Sequence, residues 1–175
     1  MSKRLFAAAA LAAAVVASPA AAAPLPFQVL NGADFQGFLT NQGDAPYCAA
    51  IASESEWERV VHPAAVMNTN RPFAPPASLW RTHTVLLLAR SINGDGAGDI
   101  LRMQSVDQRG GQIQVRTRFT PPPRASYQGQ VWTAVAVARP LTPRNVSFME
   151  GSRTICSVRL TPAQRTTPPR ARGRR

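Results

Sequence analysis

Apolar and polar positions in the second half of the chain follow the patterns of β-strands. Residues 84–92 are mostly apolar and rich in Val, Leu and Ile, which is typical of a strand covered on both faces. In residues 112–119 apolar and polar side chains alternate, so one face of this strand is expected to meet water. Further strands are predicted at 100–106, 130–138, 145–149 and 154–160. We expect 84–92 and 100–106, joined by a glycine-rich turn, to pair as a hairpin.

The first half of the chain contains one clear helix pattern. Ser53, followed three residues later by Glu56, forms a capping box, and Trp57, Val60 and Val61 then provide an inward face. Short strands are predicted at 27–30 and 47–51, with 35–39 as a further strand or an irregular edge. The sum is an α+β fold, mostly an antiparallel β-meander of five or six strands with one helix packed on the sheet.

Between this helix and the long apolar strand, residues 63–80 are predicted to form an extended surface loop. Prolines at four positions of this segment disfavour helical structure, and the residues around them are polar. Phe73 and Trp80 are the large side chains that we expect either to hold this loop against the domain or to contact a partner.

The amino end has the order of features of a cleavable signal peptide, which we assign to residues 1–22. Lys3 and Arg4 precede an apolar run of about 13 residues, shorter than the roughly 20 that a membrane-spanning helix needs. Small residues suited to a signal peptidase follow this run. The protein is therefore expected to be periplasmic or secreted, with residues 24–160 forming a single domain.

The carboxyl end, residues 161–175, is predicted to be a disordered tail because it lacks large apolar side chains. A cationic tail can hold anionic lipid or wall polymer by charge attraction, and the alternative is a solvated terminus without a binding role. We expect no nucleic-acid partner, since export removes most contact with it and no aromatic residues are interleaved for base stacking. The arginines of the tail are Arg165, Arg170, Arg172, Arg174 and Arg175.

The net charge of the chain is large, but it says little about what the protein binds. The chain has 20 basic and 9 acidic residues, with a formal net charge of +11. Two of the basic residues belong to the signal peptide and five to the tail, so the domain itself is only mildly basic. Since every basic residue after Arg4 is arginine, and Ala and Pro are abundant, nucleotide composition explains part of this charge. The basic character alone identifies no anionic partner.

Cys48 and Cys156 are the only cysteines in the chain. An exported protein usually meets an oxidising environment, and both residues lie in strand-like apolar segments, so we predict a disulfide between them. Such a bridge would close a loop of about 100 residues and contribute about 4–5 kcal/mol in the chain-entropy model. Two buried free thiols are the alternative.

The sequence contains no complete catalytic or metal-binding constellation, so we expect no cofactor, no metal and no small-molecule substrate. Residues 93–99 offer oxygen ligands but lack the acidic residue that closes a calcium loop, and a glycine-rich hairpin tip accounts for them without a ligand. His62 and His83 are the only histidines. An enzyme that uses His83 with an unassigned nucleophile is kept as an alternative.

The best candidate for a partner-facing surface follows the strand at 112–119. Its prolines stiffen an extended loop, and its arginines can bind carboxylates or pack on aromatic rings of a partner. The alternative is an ordinary solvated sheet face with a connecting loop. The candidate contacts that flank the three consecutive prolines are Arg116, Arg118, Phe119, Arg124 and Tyr127.

From residue 48 to residue 149 the order of features resembles the C-terminal-like domain of PrcB, a family of exported protease-complex accessory proteins. The long proline-rich loop and the basic tail depart from that family. The resemblance implies a domain that stabilises or regulates a protease or another envelope protein without cleaving anything itself. It is carried by the segments Ile51 to Trp57, Val85 to Arg90 with the glycine-rich turn, Val115 to Arg124, Val131 to Pro140 and Asn145 to Phe148.

These observations favour an exported, non-catalytic domain that binds another envelope protein through the 63–80 loop or the 116–127 edge. The second hypothesis is a binder of anionic envelope surface, lipid or wall polymer, that acts through the tail. The third is the enzyme that uses His83.

Overall fold

The computed structural model describes residues 22–39, 43–64, 70–94, 96, 99–140, 142 and 144–161. Apart from Ala22 and Thr161, the predicted signal peptide and the predicted basic tail lie outside these ranges. Within them, the chain forms eleven strands, two short helices and one 3-10 turn.

The strands in chain order are β1 (Ala23–Pro24), β2 (Phe27–Asn31), β3 (Gly37–Leu39), β4 (Tyr47–Ile51), β5 (Val61–Pro63), β6 (His83–Asn93), β7 (Leu101–Arg109), β8 (Gln112–Phe119), β9 (Gln128–Ala138), β10 (Arg144–Glu150) and β11 (Arg153–Leu160). The helices are α1 (Glu54–Val60) and α2 (Leu79–Thr82), and the 3-10 turn covers Gly32–Asp34.

The strands assemble in two principal sheets that pack face to face. The outer sheet has five strands in the order β1-β7-β8-β10-β11, and the central sheet has four in the order β2-β9-β6-β4. β3 and β5 form a small two-stranded sheet. The small sheet, α1 and α2 cover the face of the central sheet that is turned away from the outer sheet. Strand pairing is antiparallel except between β8 and β10, which run parallel.

The prediction of a β-rich fold with antiparallel sheets and little helix is confirmed, but the single meander of five or six strands is wrong. The predicted hairpin of 84–92 with 100–106 is wrong as well. β6 pairs with β4 and β9, whereas β7 pairs with β1 and β8. The difference follows from burial, because β6 is apolar on both faces and belongs inside a covered sheet. β7 has a polar face and can lie in a sheet that meets water.

β6 supplies side chains to two separate cores, one on each face of the central sheet. Leu86 and Leu88 pack in the core shared with the outer sheet, which contains Phe148. Val85 and Leu87 pack in the opposite core, against α1, α2 and the small sheet. The side chains of Val85, Leu86, Leu87 and Leu88 are all fully buried. The prediction that this strand is covered on both faces is therefore confirmed.

Helix α1 begins with the side-chain contacts that the sequence predicts. Ser53 Oγ accepts a hydrogen bond from Glu56 N at 3.3 Å. Glu56 Oε2 in turn accepts one from Ala52 N at 2.6 Å, one residue earlier than the reciprocal partner of a standard capping box. Trp57 is completely buried, and its Nε1 donates to Phe73 O at 2.9 Å. The helix is thereby held both at its first turn and through its inward face.

The segment 63–80 is only in part the surface loop that the prolines predict, because it ends in the first residues of α2. Leu79 and Trp80 are buried in the core, and the rings of Trp57 and Trp80 lie 6.1 Å apart between centroids. Trp80 is therefore a core residue rather than a partner contact. Phe73 does hold the loop to α1, but through its backbone oxygen, while its ring stays 46% exposed.

Cys48 and Cys156 form a disulfide, as predicted, with their Cα atoms 6.4 Å apart. Cys48 lies on β4, the edge of the central sheet, and Cys156 on β11, the edge of the outer sheet. On the opposite side the chain itself crosses between the sheets, from β1 to β2, and Leu25 N donates to Val106 O at 2.8 Å. The two sheets are covalently connected along both sides.

Removal of the disulfide is expected to destabilise the domain by about 4–5 kcal/mol, because the bridge closes a long loop, with a sequence separation of 108. The Cys48→Ala/Cys156→Ala variant and the oxidised protein are compared by urea unfolding followed by tryptophan fluorescence. Reduced wild-type protein is the control, since it keeps both sulfur atoms and lacks only the bond. If the free energy of unfolding falls by less than about 1 kcal/mol in both the double-alanine variant and the reduced wild type, the prediction is wrong.

Candidate partner-binding surface

The sequence-predicted surface lies at one end of the β7–β8 ribbon. β7 begins at Leu101 and β8 ends at Phe119, and these two residues are paired across the ribbon. The chain enters β7 through residues 99–100 and leaves β8 through residue 120, so the segments before β7 and after β8 lie side by side. A groove forms between them. We call it the proline groove and define it by residues 99–100 and 120–127.

The proline groove has a volume of about 530 Å³. Its loop is held near both ends, because Thr120 N donates to Ile100 O at 2.8 Å and Ala125 N donates to Asn93 O at 3.2 Å. The three consecutive prolines restrict the backbone between these points. The groove is therefore a preformed surface. It is lined by Asp99, Ile100, Thr120, Pro121, Pro122, Pro123, Arg124, Ala125 and Tyr127.

Close backbone packing also fixes the shape of the groove wall. Gly94 has φ 145°, and a Cβ at this position would lie 2.7 Å from Pro123 O. Only glycine combines this backbone conformation with so close an approach. The glycine-rich segment that first suggested a calcium loop therefore has a structural role at Gly94, where it supports the proline run.

Three exposed side chains mark the surface around the groove. Tyr127 is 55% exposed. Arg118 and Arg124 are exposed, and within the part of the chain that the structure describes neither forms an ion pair or a side-chain hydrogen bond. Two guanidinium groups and one phenol are thus available at this end of the outer sheet.

Arg116, in contrast, is already engaged within the domain. Its Nε lies 3.8 Å from Asp107 Oδ2, and its Nη1 donates to Gly151 O at 3.5 Å. These contacts hold the turn between β10 and β11 against the β7–β8 ribbon. Arg102, which lies directly across the ribbon from Arg118, forms an ion pair with Asp99. The charges of Arg102 and Arg116 are therefore partly balanced before any partner arrives.

Phe119 is half-buried and directly precedes Thr120, which lines the proline groove. The guanidinium carbon of Arg90 lies 4.3 Å from the centroid of the Phe119 ring. Arg90 also pairs with Glu150, with Nη2 and Oε1 2.7 Å apart and side chains 18% and 26% exposed. Since β6 belongs to the central sheet and β8 and β10 to the outer sheet, this cluster connects the two sheets. Phe119 is therefore already engaged inside the domain by Arg90.

The other sequence candidates lie away from this surface or outside the described residues. The five tail arginines and Asp95 fall outside them. His83 begins β6, and its Nδ1 lies 2.8 Å from Thr82 Oγ1. His62 lies on β5, 5.5 Å from the ring of Phe38. Among the described residues there is no free cysteine and no group of three or more His, Cys, Asp or Glu that could hold a metal ion.

A second cleft, of about 540 Å³, lies on the other side of Asp99 and Ile100 and was missed from the sequence. Its walls come from the 3-10 turn, the start of β7 and residues 130–132 of β9. Gly32 packs so closely here that a Cβ would lie 2.8 Å from the Trp132 ring. No local pattern could have indicated this cleft, because its walls are separated by long stretches of chain.

Comparison of the chain with protein-family models, with curated proteins and with solved structures finds no match. The resemblance to the PrcB C-terminal-like domain rests on the residue patterns described above. Neither helix in the described ranges is long and apolar enough to cross a membrane.

Replacing Arg90 by Met is expected to destabilise the domain by about 2 kcal/mol, because packing on Phe119 is kept while the Glu150 carboxylate loses its cation. The Arg90→Met/Glu150→Met variant should regain part of this loss, since it leaves no unpaired charge. Urea unfolding measures both variants. Arg159→Met, on the exposed side of β11, is the control and should change stability by less than about 0.5 kcal/mol. A double variant as unstable as the single one would contradict the explanation.

Proposed function

We propose that this protein is an exported, non-catalytic domain that binds another protein of the cell envelope through the proline groove. The observation that carries the proposal is an exposed aromatic side chain, Tyr127, beside a loop that is held at both ends. A preorganised loop loses little conformational entropy when it binds, and an exposed tyrosine offers a large contact area with a polar tip. Both are typical of surfaces that recognise proteins.

Two observations support export. The amino end has the charged, apolar and small-residue order of a signal peptide. The disulfide between Cys48 and Cys156 is of the kind that persists in oxidising compartments outside the cytosol. The two observations are independent, because one depends on the amino-terminal sequence and the other on the folded domain.

The proline groove is favoured over the 63–80 loop as the contact surface. In that loop Leu79 and Trp80 are buried, and Phe73 contributes its backbone oxygen to α1. Their main interactions are therefore inside the domain. Around the groove, Tyr127, Arg118 and Arg124 are exposed, and they form no ion pair or side-chain hydrogen bond with any residue that the structure describes. These groups gain contacts when a partner binds, whereas Leu79, Trp80 and the backbone oxygen of Phe73 already have contacts inside the domain.

The resemblance to the PrcB C-terminal-like domain also supports a protein-binding groove. Part of the resemblance is carried by residues 115–124, and this segment leads into the groove. By this resemblance the partner is a protease, or another envelope protein, that the domain stabilises or regulates. A second candidate function is attachment to anionic lipid or wall polymer through the tail, which is favoured by its five arginines.

Affinity capture from envelope extract tests the proposal. The bait is mature protein, compared with a variant that ends at Thr161, with Tyr127→Ala and with Phe38→Ala. Phe38 is the matched control, because it is exposed to the same extent as Tyr127, at 55%, and lies on the small sheet. We expect wild type, Phe38→Ala and the tail-less variant to capture one protein in stoichiometric amount. Tyr127→Ala should bind that protein, once purified, about tenfold more weakly.

Two results would overturn the proposal. If only the protein with its tail binds, and salt releases a heterogeneous set of anionic material, the second candidate function is the correct one. If Phe38→Ala loses the captured protein and Tyr127→Ala keeps it, the groove is not the contact surface.

A further inference from the structure

The solvent face of the outer sheet is dominated by arginine. Its strands contain two acidic residues, Asp107 and Glu150, and Glu150 is paired with Arg90 between the sheets. Asp107 lies near Arg116. The face therefore carries a clear excess of positive charge. Its exposed arginines are Arg102, Arg109, Arg116, Arg118, Arg153 and Arg159.

These arginines divide into two groups at opposite ends of the sheet. Arg118 directly precedes the last residue of β8, next to the proline groove. Arg153 belongs to the same end, because the strand register places it opposite Glu150, which is opposite Thr117 of β8. Arg109 ends β7 and Arg159 lies near the end of β11, and both are at the far end.

Among the described residues at the groove end, Arg118, Arg124 and Arg153 form no ion pair, but Arg153 lies on β11, two strands away from β8, so the charge at the groove itself belongs to Arg118 and Arg124. Arg102 is paired with Asp99 and Arg116 lies near Asp107, so these two are partly balanced within the domain. Arg118 and Arg124 have no such partner among the described residues. One of them lies on the sheet beside the groove and the other lines the groove itself.

We propose that the partner occupies this surface with an acidic polypeptide segment. An apolar side chain of that segment enters the proline groove beside Tyr127, and carboxylates on either side of it bind Arg118 and Arg124. The planar guanidinium group forms two parallel hydrogen bonds with a carboxylate, which gives geometric specificity as well as attraction. This inference rests on the proposed function and specifies the chemistry of its partner.

A polypeptide fits this surface better than a membrane does. The groove is a recess of about 530 Å³, large enough to take side chains that protrude from a peptide, whereas a bilayer presents a flat surface. Membrane binding by a basic face also uses several exposed apolar side chains that insert beside it. Among the described residues the exposed large apolar side chains are Val29, Phe38, Phe73 and Tyr127, and of these only Tyr127 lines the groove.

A direct binding experiment tests the inference with full-length mature protein. The probe is a fluorescein-labelled peptide with central leucines flanked by glutamates, and its control has glutamine in place of every glutamate. Anisotropy titrations use wild type, Arg118→Gln/Arg124→Gln and Arg109→Gln/Arg159→Gln. The two double variants remove the same number of exposed arginines, so general charge attraction changes equally in both. Vesicles of phosphatidylglycerol and phosphatidylcholine are tested in parallel.

We expect the glutamate peptide to bind at least about tenfold more tightly than the glutamine peptide. Arg118→Gln/Arg124→Gln should weaken its binding about tenfold, and Arg109→Gln/Arg159→Gln less than about twofold. The same order of affinities is expected for the protein captured by the groove. Tyr127→Ala should weaken binding of the glutamate peptide as well, because the substitution removes one wall of the apolar site.

Other outcomes overturn the inference. Equal losses in the two double variants would mean unspecific charge attraction. Binding of vesicles but not of the peptide, lost in Arg118→Gln/Arg124→Gln, would mean an anionic membrane surface. If Tyr127→Ala loses the captured protein while Arg118→Gln/Arg124→Gln keeps it, the proposed function stands and the acidic segment is wrong. If neither variant changes binding of the captured protein, both the proposed function and the acidic segment are wrong.

Discussion

β6 is apolar along most of its length, and both of its faces have to be removed from water. Alternate side chains therefore need two different covers, and the rest of the architecture supplies them. Leu86 and Leu88 are covered by the outer sheet, whereas Val85 and Leu87 are covered by the layer that contains Trp57 and Trp80. A sheet covered on one face only would leave half of β6 exposed. The three-layer arrangement follows from this one strand.

Two packed sheets can slide or separate unless something connects them, and here the connections are distributed around the sandwich. The disulfide joins the β4 and β11 edges, and the β1–β2 crossing joins the other side. The cluster of Arg90, Glu150 and Phe119 connects the two sheets near the end of β8, where the proline groove begins. The groove therefore adjoins a frame whose two sheets are connected at both edges and by this cluster, and such a frame favours a preorganised surface.

The distribution of charge matters more here than its total. The chain has an excess of arginine throughout, and three of its arginines, Arg90, Arg102 and Arg116, are balanced locally by Glu150, Asp99 and Asp107. Among the described residues at the groove itself, Arg118 and Arg124 have no acidic partner and lie near Tyr127. The basic composition by itself identifies no partner, and this local balance is what the proposed binding of an acidic segment rests on.

Local patterns in the sequence determined the local structure. The alternation in 112–119 predicted the bounds of β8, the capping box predicted the start of α1, and the apolar flanks of Cys48 and Cys156 led to the correct disulfide. These features depend on neighbouring residues, which a sequence displays directly. The signal peptide, the tail and the likeness to PrcB stay predictions.

Tertiary structure decided which strands pair and which polar or aromatic side chains already have contacts inside the domain. Periodicity states which face of a strand is buried but not which strand lies beside it, so the hairpin of 84–92 with 100–106 was wrong. Trp80 could not be told from a surface aromatic, because Trp57 and the covering layer come from elsewhere in the chain. Arg116 and Arg118 are equivalent in the sequence, but the positions of Asp107 and Gly151 engage Arg116, whereas Arg118 has no ion pair with any residue that the structure describes.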